Sequence, residues 1–337
     1  MNEDRPPAVT LRWMTTAYWA SQVIHDTAKL GIPDLLANGA KTADALAAAT
    51  ATHAPSLHRL LRAAASLGTL EEDEARRFCL TPLGTLLRSD VEGSMRAWAI
   101  QVGEPWFRAS WDNLLHSVAT GQPAFPAVHG MGEWEYLARH EDAAAQFNGA
   151  MTSVAPIKAK ATVEAYDFSG FATVVDVGGG HGTLLATILA AHPAARGILF
   201  DLLHVVAGAG EILRAAGVEA RCAVVGGSFF EEVPTGGDAY ILQTVIHDWD
   251  DEHSIAILKN CRRAMGRQAR LLLVEQVIPH GNAFHPSKFD DLNMLVLLGG
   301  RERTADEFRA LVGAAAFTLI GITPTMSQWS VIEASPT

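Results

Sequence analysis

The chain has 337 residues, 49% of them hydrophobic, 19% charged and 7% aromatic, and 26 Lys and Arg against 37 Asp and Glu leave a formal charge of −11. At roughly 100 to 200 residues per domain the length predicts two domains, and the apolar content supplies a core for each. The acidic balance argues against nucleic acid and anionic membrane as partners, because both draw affinity from phosphates neutralised by Lys and Arg.

No apolar run reaches the ~18 residues of a membrane span. The start, Met-Asn-Glu-Asp-Arg-Pro-Pro, puts two acids where a secretory or transit peptide needs basic and apolar residues. Cys79, Cys222 and Cys261 are odd in number, far apart and outside any CxxC spacing. They predict buried thiols in a reduced, cytoplasmic protein, with neither a disulfide framework nor a zinc site.

In chain order, the apolar residues of Leu11 to Leu30 (Trp13, Met14, Tyr18, Trp19, Val23 and Ile24) cover more of a helix than one core-facing stripe requires. Such surplus near a terminus predicts a partner subunit. Thr42 caps a helix over Ala43 to Ala49, and Leu57, Leu60, Leu61, Ala64 and Leu67 mark a second that stops at Gly68. Thr69 to Leu80 reads as a hairpin, and Thr81-Pro82-Leu83-Gly84 starts another helical turn. This is a winged-helix pattern, which raises DNA binding as a second hypothesis in the form of a ligand-sensing regulator. Residues 41 to 90, however, carry six basic and six acidic side chains. A phosphate-gripping module needs a basic stripe, so a module for pairing subunits fits better.

Residues 90 to 165 read as interrupted helix rich in rings, among them Trp98, Trp106, Phe107, Trp111, Phe125, Trp134, Tyr136 and Phe147. They suit core packing or the walls of a pocket for a flat ligand. From about 172, strands are expected at Val174 to Val177, Gly197 to Phe200, Cys222 to Val225, Ala239 to Val245 and Arg270 to Val277. Helices at Leu184 to Ala191, Val205 to Ala216 and Glu252 to Met265 alternate with them, which predicts a parallel sheet covered on both faces. Thr304-Ala305-Asp306-Glu307 is a capping box for a helix to Ala315, before final strands at Phe317 to Ile322 and Trp329 to Ala334.

Asp176-Val177-Gly178-Gly179-Gly180-His181-Gly182 joins a strand to a helix through glycines that let the backbone approach a ligand. Thr183 stands where the dinucleotide fingerprint needs its last glycine, which weakens a nicotinamide oxidoreductase reading. No Lys or Arg lies between Thr173 and Pro193, so a cationic cofactor without phosphates, such as S-adenosyl-L-methionine, suits the loop. Asp201 closes the next strand, where a carboxylate can accept ribose hydroxyls. Later, His247 and Asp248 follow a strand, with Glu275 and Glu302 at other strand edges. A His set among carboxylates is an oriented base, its tautomer fixed and its imidazolium stabilised.

With these motifs the chain resembles the plant-type small-molecule O-methyltransferases and their bacterial relatives of antibiotic and pigment pathways. Leu30-Gly31-Ile32, Leu80 to Gly84, Phe147-Asn148-Gly149-Ala150-Met151, Asp176 to Gly182, Phe200-Asp201-Leu202, Gly227-Ser228-Phe229-Phe230, His247-Asp248-Trp249 and Gly299 to Thr304 carry the resemblance over nearly the whole chain. It implies an α/β fold class: a Rossmann-like class I methyltransferase domain at 166–337, preceded by a mostly helical winged-helix dimerisation domain at 1–100. Residues 101–165 would be a helical connector lining the acceptor pocket.

The resemblance further implies a homodimer that methylates a small aromatic acceptor from S-adenosyl-L-methionine. Asp176, Gly178, Gly180, Asp201, Ser228, Phe229 and Gln243 would bind the cofactor. His247 would deprotonate the acceptor hydroxyl while Glu275 and Glu302 hold its ring, with no metal needed. Phe147, Met151, Asp248, Met294 and Trp106 would contact the acceptor. Three positions depart from the plant pattern: Ser228 replaces an acid, Gln243 replaces a lysine four residues before the base, and Leu203 replaces a proline. They point to the bacterial secondary-metabolism branch, some of whose members have turned to hydroxylation.

Overall fold

The structure, a computed structural model, describes residues 6–337; the acidic start at 1–5 lies outside the described residues. The chain forms two compact units. The first holds the chain up to Ala109 together with Leu137–Val154, and the second holds Ser110–Tyr136 and Ala155–Thr337. The stretch 101–165 therefore contributes to both.

In the first unit the expected helix over Leu11 to Leu30 is two helices, Pro7–Thr15 and Ala17–Lys29. The hydroxyls of Thr15 and Thr16 both bond back to the Arg12 carbonyl, at 2.8 and 3.0 Å, a local bond that competes with the helical ladder. Val9, Leu11, Trp13, Met14, Tyr18 and Trp19 remain 47% to 63% exposed. Thr42 caps the helix Ala43–Thr50 by accepting from the Ala45 amide, and Gly68, at φ +78°, turns the chain out of the helix Ala54–Ser66. The wing is a three-stranded antiparallel sheet of β1 (Lys41–Thr42), β2 (Leu70–Glu72) and β3 (Arg77–Leu80), with β3 central. Ile32, Leu46, Leu57, Leu61, Leu70 and Phe78 close the core beneath it. Gly84, in the short helix after β3, passes so near the Thr69 carbonyl that an added Cβ would lie 1.8 Å from its oxygen.

The second unit is built on an eight-stranded sheet, seven strands in one path and a short eighth beside it. The seven are β4 (Thr173–Val177), β5 (Arg196–Asp201), β6 (Cys222–Gly226), β7 (Ala239–Gln243), β8 (Arg270–Ile278), β10 (Phe317–Pro324) and β11 (Trp329–Pro336). The order is β10-β11-β8-β7-β4-β5-β6, with β11 antiparallel to both its neighbours and every other pairing parallel, and the two-residue β9 (Arg303–Thr304) lies beside the end of β8. Because β4, β7 and β8 are apolar on both faces, helices must cover both. Thr183–Ala191 buries Leu185, Ile188 and Leu189 on one face, while Asp251–Ala264 and Ala305–Ala314 bury Ile257, Leu258, Phe308 and Val312 on the other. The expected capping box at Thr304 and Glu307 is present. This is the expected α/β architecture, with a Rossmann-like sheet in one unit and a winged helix in the other.

Two expected elements differ. The helix over Val205 to Ala216 is broken into Leu203–Val206 and Ala209–Ala215 at Gly208. The strand over Ala239 to Val245 stops at Gln243, where Thr244 enters the left-handed region at φ +51°. All three cysteines are free, but only Cys261 is buried; Cys79, on β3, and Cys222, at the start of the edge strand β6, stay partly exposed. Among the described residues no helix is long and apolar enough to cross a membrane. The segment Ser110–Tyr136 packs its helices Leu114–Thr120 and Ala124–His129 against Ser287–Leu297, and the Trp111 indole donates to Asn293 Oδ1 at 2.8 Å.

The Gly84 approach gives the first prediction. Gly84→Ala forces backbone apart in the winged module and costs about 1–3 kcal/mol, whereas Gly266→Ala, with nothing within 4 Å, does not. Calorimetry of the two variants is expected to show a lowered unfolding transition for the first alone.

Candidate active site

The glycine loop after β4 is positioned from beneath. The Gly178 amide donates to the Phe200 carbonyl at 2.8 Å, and Gly178 and Gly180 sit at φ +70° and +59°. A side chain on Gly178 would strike Val245 at 2.8 Å and meet the Phe229 ring at 3.5 Å; on Gly180 it would meet nothing within 4 Å. The loop is thus packed underneath and open beside Asp201. Asp201 Oδ2 accepts from the Gly180 amide at 2.8 Å and Oδ1 from Leu202 at 2.6 Å, which fixes the carboxylate at the sheet edge with lone pairs to spare.

Asp176 is 1% exposed, and neither of its oxygens has a hydrogen-bond partner of normal geometry. Burial first, and then the like charge of Asp201, push its carboxyl up to about 7. An orphaned buried carboxyl beside an open glycine loop free of Lys and Arg is what an ammonium-bearing nucleoside ligand would satisfy, so these residues fit S-adenosyl-L-methionine. Near the loop, Phe229 sits edge-on to Trp249, and its carbonyl is held by Asn260 at 2.8 Å. Ser228 Oγ accepts from the Phe230 amide at 3.3 Å, and the Gln243 amide reaches Thr162 Oγ1 at 3.5 Å.

Beyond Gln243 the chain turns sharply into a single 3₁₀ turn, Ile246–Asp248. Glu275, fully buried on β8, accepts the Val245 and Ile246 amides on one oxygen, at 3.0 and 2.9 Å. The Arg303 guanidinium, 1% exposed, donates to the Ile246 and Trp249 carbonyls and pairs with Asp251 at 2.8 Å. From above, the Arg301 amide donates to the His247 carbonyl at 2.8 Å, and Gly300 passes where a Cβ would lie 2.1 Å from that oxygen. Only glycine admits that approach.

The turn presents the imidazole of His247, 16% exposed, to its acids. Nδ1 lies 2.8 Å from Glu302 Oε1 and 3.8 Å from Glu275 Oε2, and Nε2 lies 3.3 Å from Asp248 Oδ1. With the proton on Nδ1, that N–H donates to Glu302 and Nε2 keeps its lone pair. Glu275 grips the backbone of the turn more closely than the ring. Burial alone would pull the imidazolium down, but Glu275, Glu302 and Asp248 outweigh it and push the pKa up to about 10. Asp248 rises to about 6 and Glu275 to about 7, chiefly through burial, with the His247 charge opposing the rise. One ligand atom from each of His247, Glu275 and Glu302 lies within 4.8 Å of the others, so the group has the spacing to hold a cation as well as a proton.

Met294, on Ser287–Leu297, is 9% exposed and belongs with Asp248 to the second unit. Phe147, Met151 and Trp106 belong to the first, where the Trp106 indole donates to Gln146 Oε1 at 2.9 Å. Three charged residues were not singled out by sequence: Arg303, Glu133 and Lys158. Lys158 Nζ donates to Thr244 Oγ1 at 3.2 Å and lies over the Trp329 ring. Burial pulls its ammonium down while Glu275, Asp248 and Glu302 partly restore it. Arg303 and Lys158 carry no spacing signal, because their partners Asp251, Ile246, Trp249 and Thr244 are remote in sequence.

Comparison with known proteins identifies the family. Residues 111–318 match the O-methyltransferase domain and residues 14–90 the O-methyltransferase dimerisation domain. The phenazine O-methyltransferase PhzM of Lysobacter antibioticus is 50% identical over 98% of this chain and 97% of its own. The solved structure of LaPhzM superposes with a TM-score of 0.93 at 49% identity, covering 99% of this chain and all of that one. An O-methyltransferase of neocarzinostatin biosynthesis, solved with S-adenosylmethionine and 2-hydroxy-5-methyl naphthoic acid, matches at a TM-score of 0.78 and 33% identity over 94% of this chain and 96% of its own. Other relatives are named for transfer to nitrogen as well as oxygen. The chain therefore belongs to the S-adenosylmethionine-dependent methyltransferases of small molecules in secondary metabolism, its class I methyltransferase domain preceded by an O-methyltransferase dimerisation domain.

Proposed function

We propose that the chain is a homodimeric O-methyltransferase that methylates a hydroxyl of an aromatic or polyketide-type secondary metabolite in the cytoplasm, with His247 as general base. The observation that carries this reading is the His247 ring itself, held by Glu302 at Nδ1 with Nε2 left to act. A phenol of pKa about 10 is a weak nucleophile at neutral pH, and its phenolate a strong one. His247 Nε2 accepts the hydroxyl proton, and Glu302 stabilises the imidazolium that results. A base whose own pKa is raised toward that of a phenol takes this proton with little energetic mismatch.

Asp176, Gly178, Gly180 and Asp201 would hold S-adenosyl-L-methionine, with Ser228, Phe229 and Gln243 alongside. Bound there, it supplies an electrophilic methyl group on a cationic sulfur. Phe147, Met151, Trp106, Met294 and Asp248 are the acceptor contacts in this reading. Fixing the reacting groups in line supplies most of the remaining acceleration.

His247→Ala is expected to lower kcat/KM for a confirmed acceptor by roughly 10²–10⁴-fold, with S-adenosyl-L-methionine binding intact by calorimetry; near wild-type turnover would remove the base from the mechanism. Since the working form is the neutral imidazole and its pKa lies above the ordinary 6.5, the rate should climb with pH beyond neutrality. Glu302→Gln deletes one of the anions that raise it, so the same limb should move to lower pH while the maximum falls. Chelators are expected to leave both profiles unchanged, and the bond formed, oxygen or nitrogen to methyl, is read from the isolated product.

Asp176→Asn should weaken S-adenosyl-L-methionine binding at least ten-fold, about 1.4 kcal/mol, without lowering ligand-free stability. The sign follows from the raised pKa: a buried acid that prefers its proton loses stability as pH rises from about 4 to 7, and asparagine has no such loss. In solution the protein should sediment at twice the 36.0 kDa chain mass. Replacing both Trp13 and Trp19, each about half exposed, by serine should yield monomers.

A further inference from the structure

Thr244 is a β-branched residue in a backbone conformation that such residues avoid, φ +51°. A residue of this kind stores about 1–3 kcal/mol of strain and persists only where its surroundings over-determine it. It is the first residue after β7, and the chain leaves it directly for the turn Ile246–Asp248. Three groups hold this entry. The Val274 carbonyl accepts from the Thr244 amide at 3.0 Å, and Glu275 accepts from the Val245 and Ile246 amides. Both of these reach backbone only. The third is Lys158 Nζ, which donates to Thr244 Oγ1 at 3.2 Å and is, among the described residues, the one group bonded to that side chain.

Lys158 is committed to this contact. Its ammonium lies 5.2 Å from the centroid of the Trp329 ring, and among the described residues it makes no second hydrogen bond and has no carboxylate at ion-pair distance. Glu275 on β8, Asp248 in the turn and Glu302 before β9 act on it only through space. Burying an ammonium costs several kcal/mol, and here one neutral hydroxyl and one indole face are its direct compensation. Lys158 and Thr244 both belong to the second unit.

We propose that Lys158 is a positioning residue of the reaction: by holding the Thr244 hydroxyl it locks the left-handed entry to the turn and so fixes the His247 imidazole against Glu302. The proposal rests on the methyl-transfer reading above and adds to it a group that acts through another residue. Without the lock Thr244 relaxes toward an ordinary conformation and carries the imidazole with it. A displacement of ~1 Å at a reacting group costs about 100-fold in rate. Glu275 and Arg303 still grip the turn, so the fold persists.

The test compares the full-length wild type with Lys158→Met, which keeps an unbranched stem, Thr244→Val, which keeps the branched shape without the hydroxyl, and the double variant. Labelled methyl transfer is followed with whichever of catechol, 1-hydroxyphenazine and 1,4-dihydroxy-2-naphthoic acid the wild type methylates fastest. Each single variant is expected to lower kcat by about 10–100-fold with acceptor KM within about 3-fold. The double variant is expected to lose no more than the worse single one, since all three remove the same bond. Nitrogen-15 histidine spectra of the ligand-free protein give a second readout: the His247 Nδ1 proton bonded to Glu302 is a sharp downfield line in the wild type, absent in His247→Ala, and is expected to broaden or vanish in the Lys158 and Thr244 variants. Losses in kcat that multiply in the double variant, or an unchanged line in Lys158→Met, would overturn the proposal and leave Lys158 a remote counter-charge. A wild type that shows the line but transfers no methyl group counts against the methyl-transfer reading alone, and the line then decides the role of Lys158.

Discussion

The arrangement depends on one buried interaction, the two-sided grip on the turn from Thr244 to Trp249. Glu275 holds its amides from the sheet and Arg303 holds its carbonyls from the following loop, both with 1% exposure or less. Charges so deep are tolerated only when each is hydrogen-bonded, and removing one partner of a buried ionic arrangement typically costs 3–5 kcal/mol. Much else follows from this requirement. Arg303 must arrive through a loop tight enough to need Gly300 against the His247 carbonyl, and the same loop delivers Glu302 to the imidazole. The imidazole and the carboxylate beside it are therefore placed by one structural event.

The net charge of the chain acquires a local meaning in the second unit. Asp176, Asp248, Glu275 and Glu133 are all raised by burial, so near neutral pH this region holds protons that exposed acids would have shed. Its nearby cations are the His247 imidazolium and the Lys158 ammonium, the latter weakened by burial. A cationic ligand bound there favours the ionised form of these acids and releases their protons, and an anionic one opposes it. The acidic composition that argued against nucleic acid thus also favours a sulfonium donor and a neutral acceptor.

What could be read from sequence was what is decided locally. The glycines at 178, 180 and 182, the cap at Thr42 and the capping box at Thr304 each depend on neighbours a few residues away, and all are present where the residues indicate. The acids around His247 were legible as types at strand ends, and the resemblance assigned them. The division of labour between them was not legible. Glu275 grips amides thirty positions away, and that bond ends β7 two residues before the apolar pattern does. The break at Thr16 escaped for a different reason: two adjacent hydroxyls compete with the ladder inside an otherwise regular apolar pattern.

Lys158 shows how a departure in sequence can be compensated in space. The resemblance implies a lysine four residues before the base, and this chain has the neutral Gln243 there. A site holding Glu275, Glu302 and Asp248 under burial still needs a positive charge beside it, since neither Gln243 nor Thr244 offers one. The helix Glu141–Ala165 supplies it, placing Lys158 Nζ on the hydroxyl of Thr244, the residue next along the chain from Gln243, while Thr162 one turn later meets the Gln243 amide. The spacing of four on a helix brings both to one face, so a single helical stripe stands in for the missing strand residue. An electrostatic requirement of this kind fixes the sign of the charge and its approximate place, and leaves the element that carries it free to change.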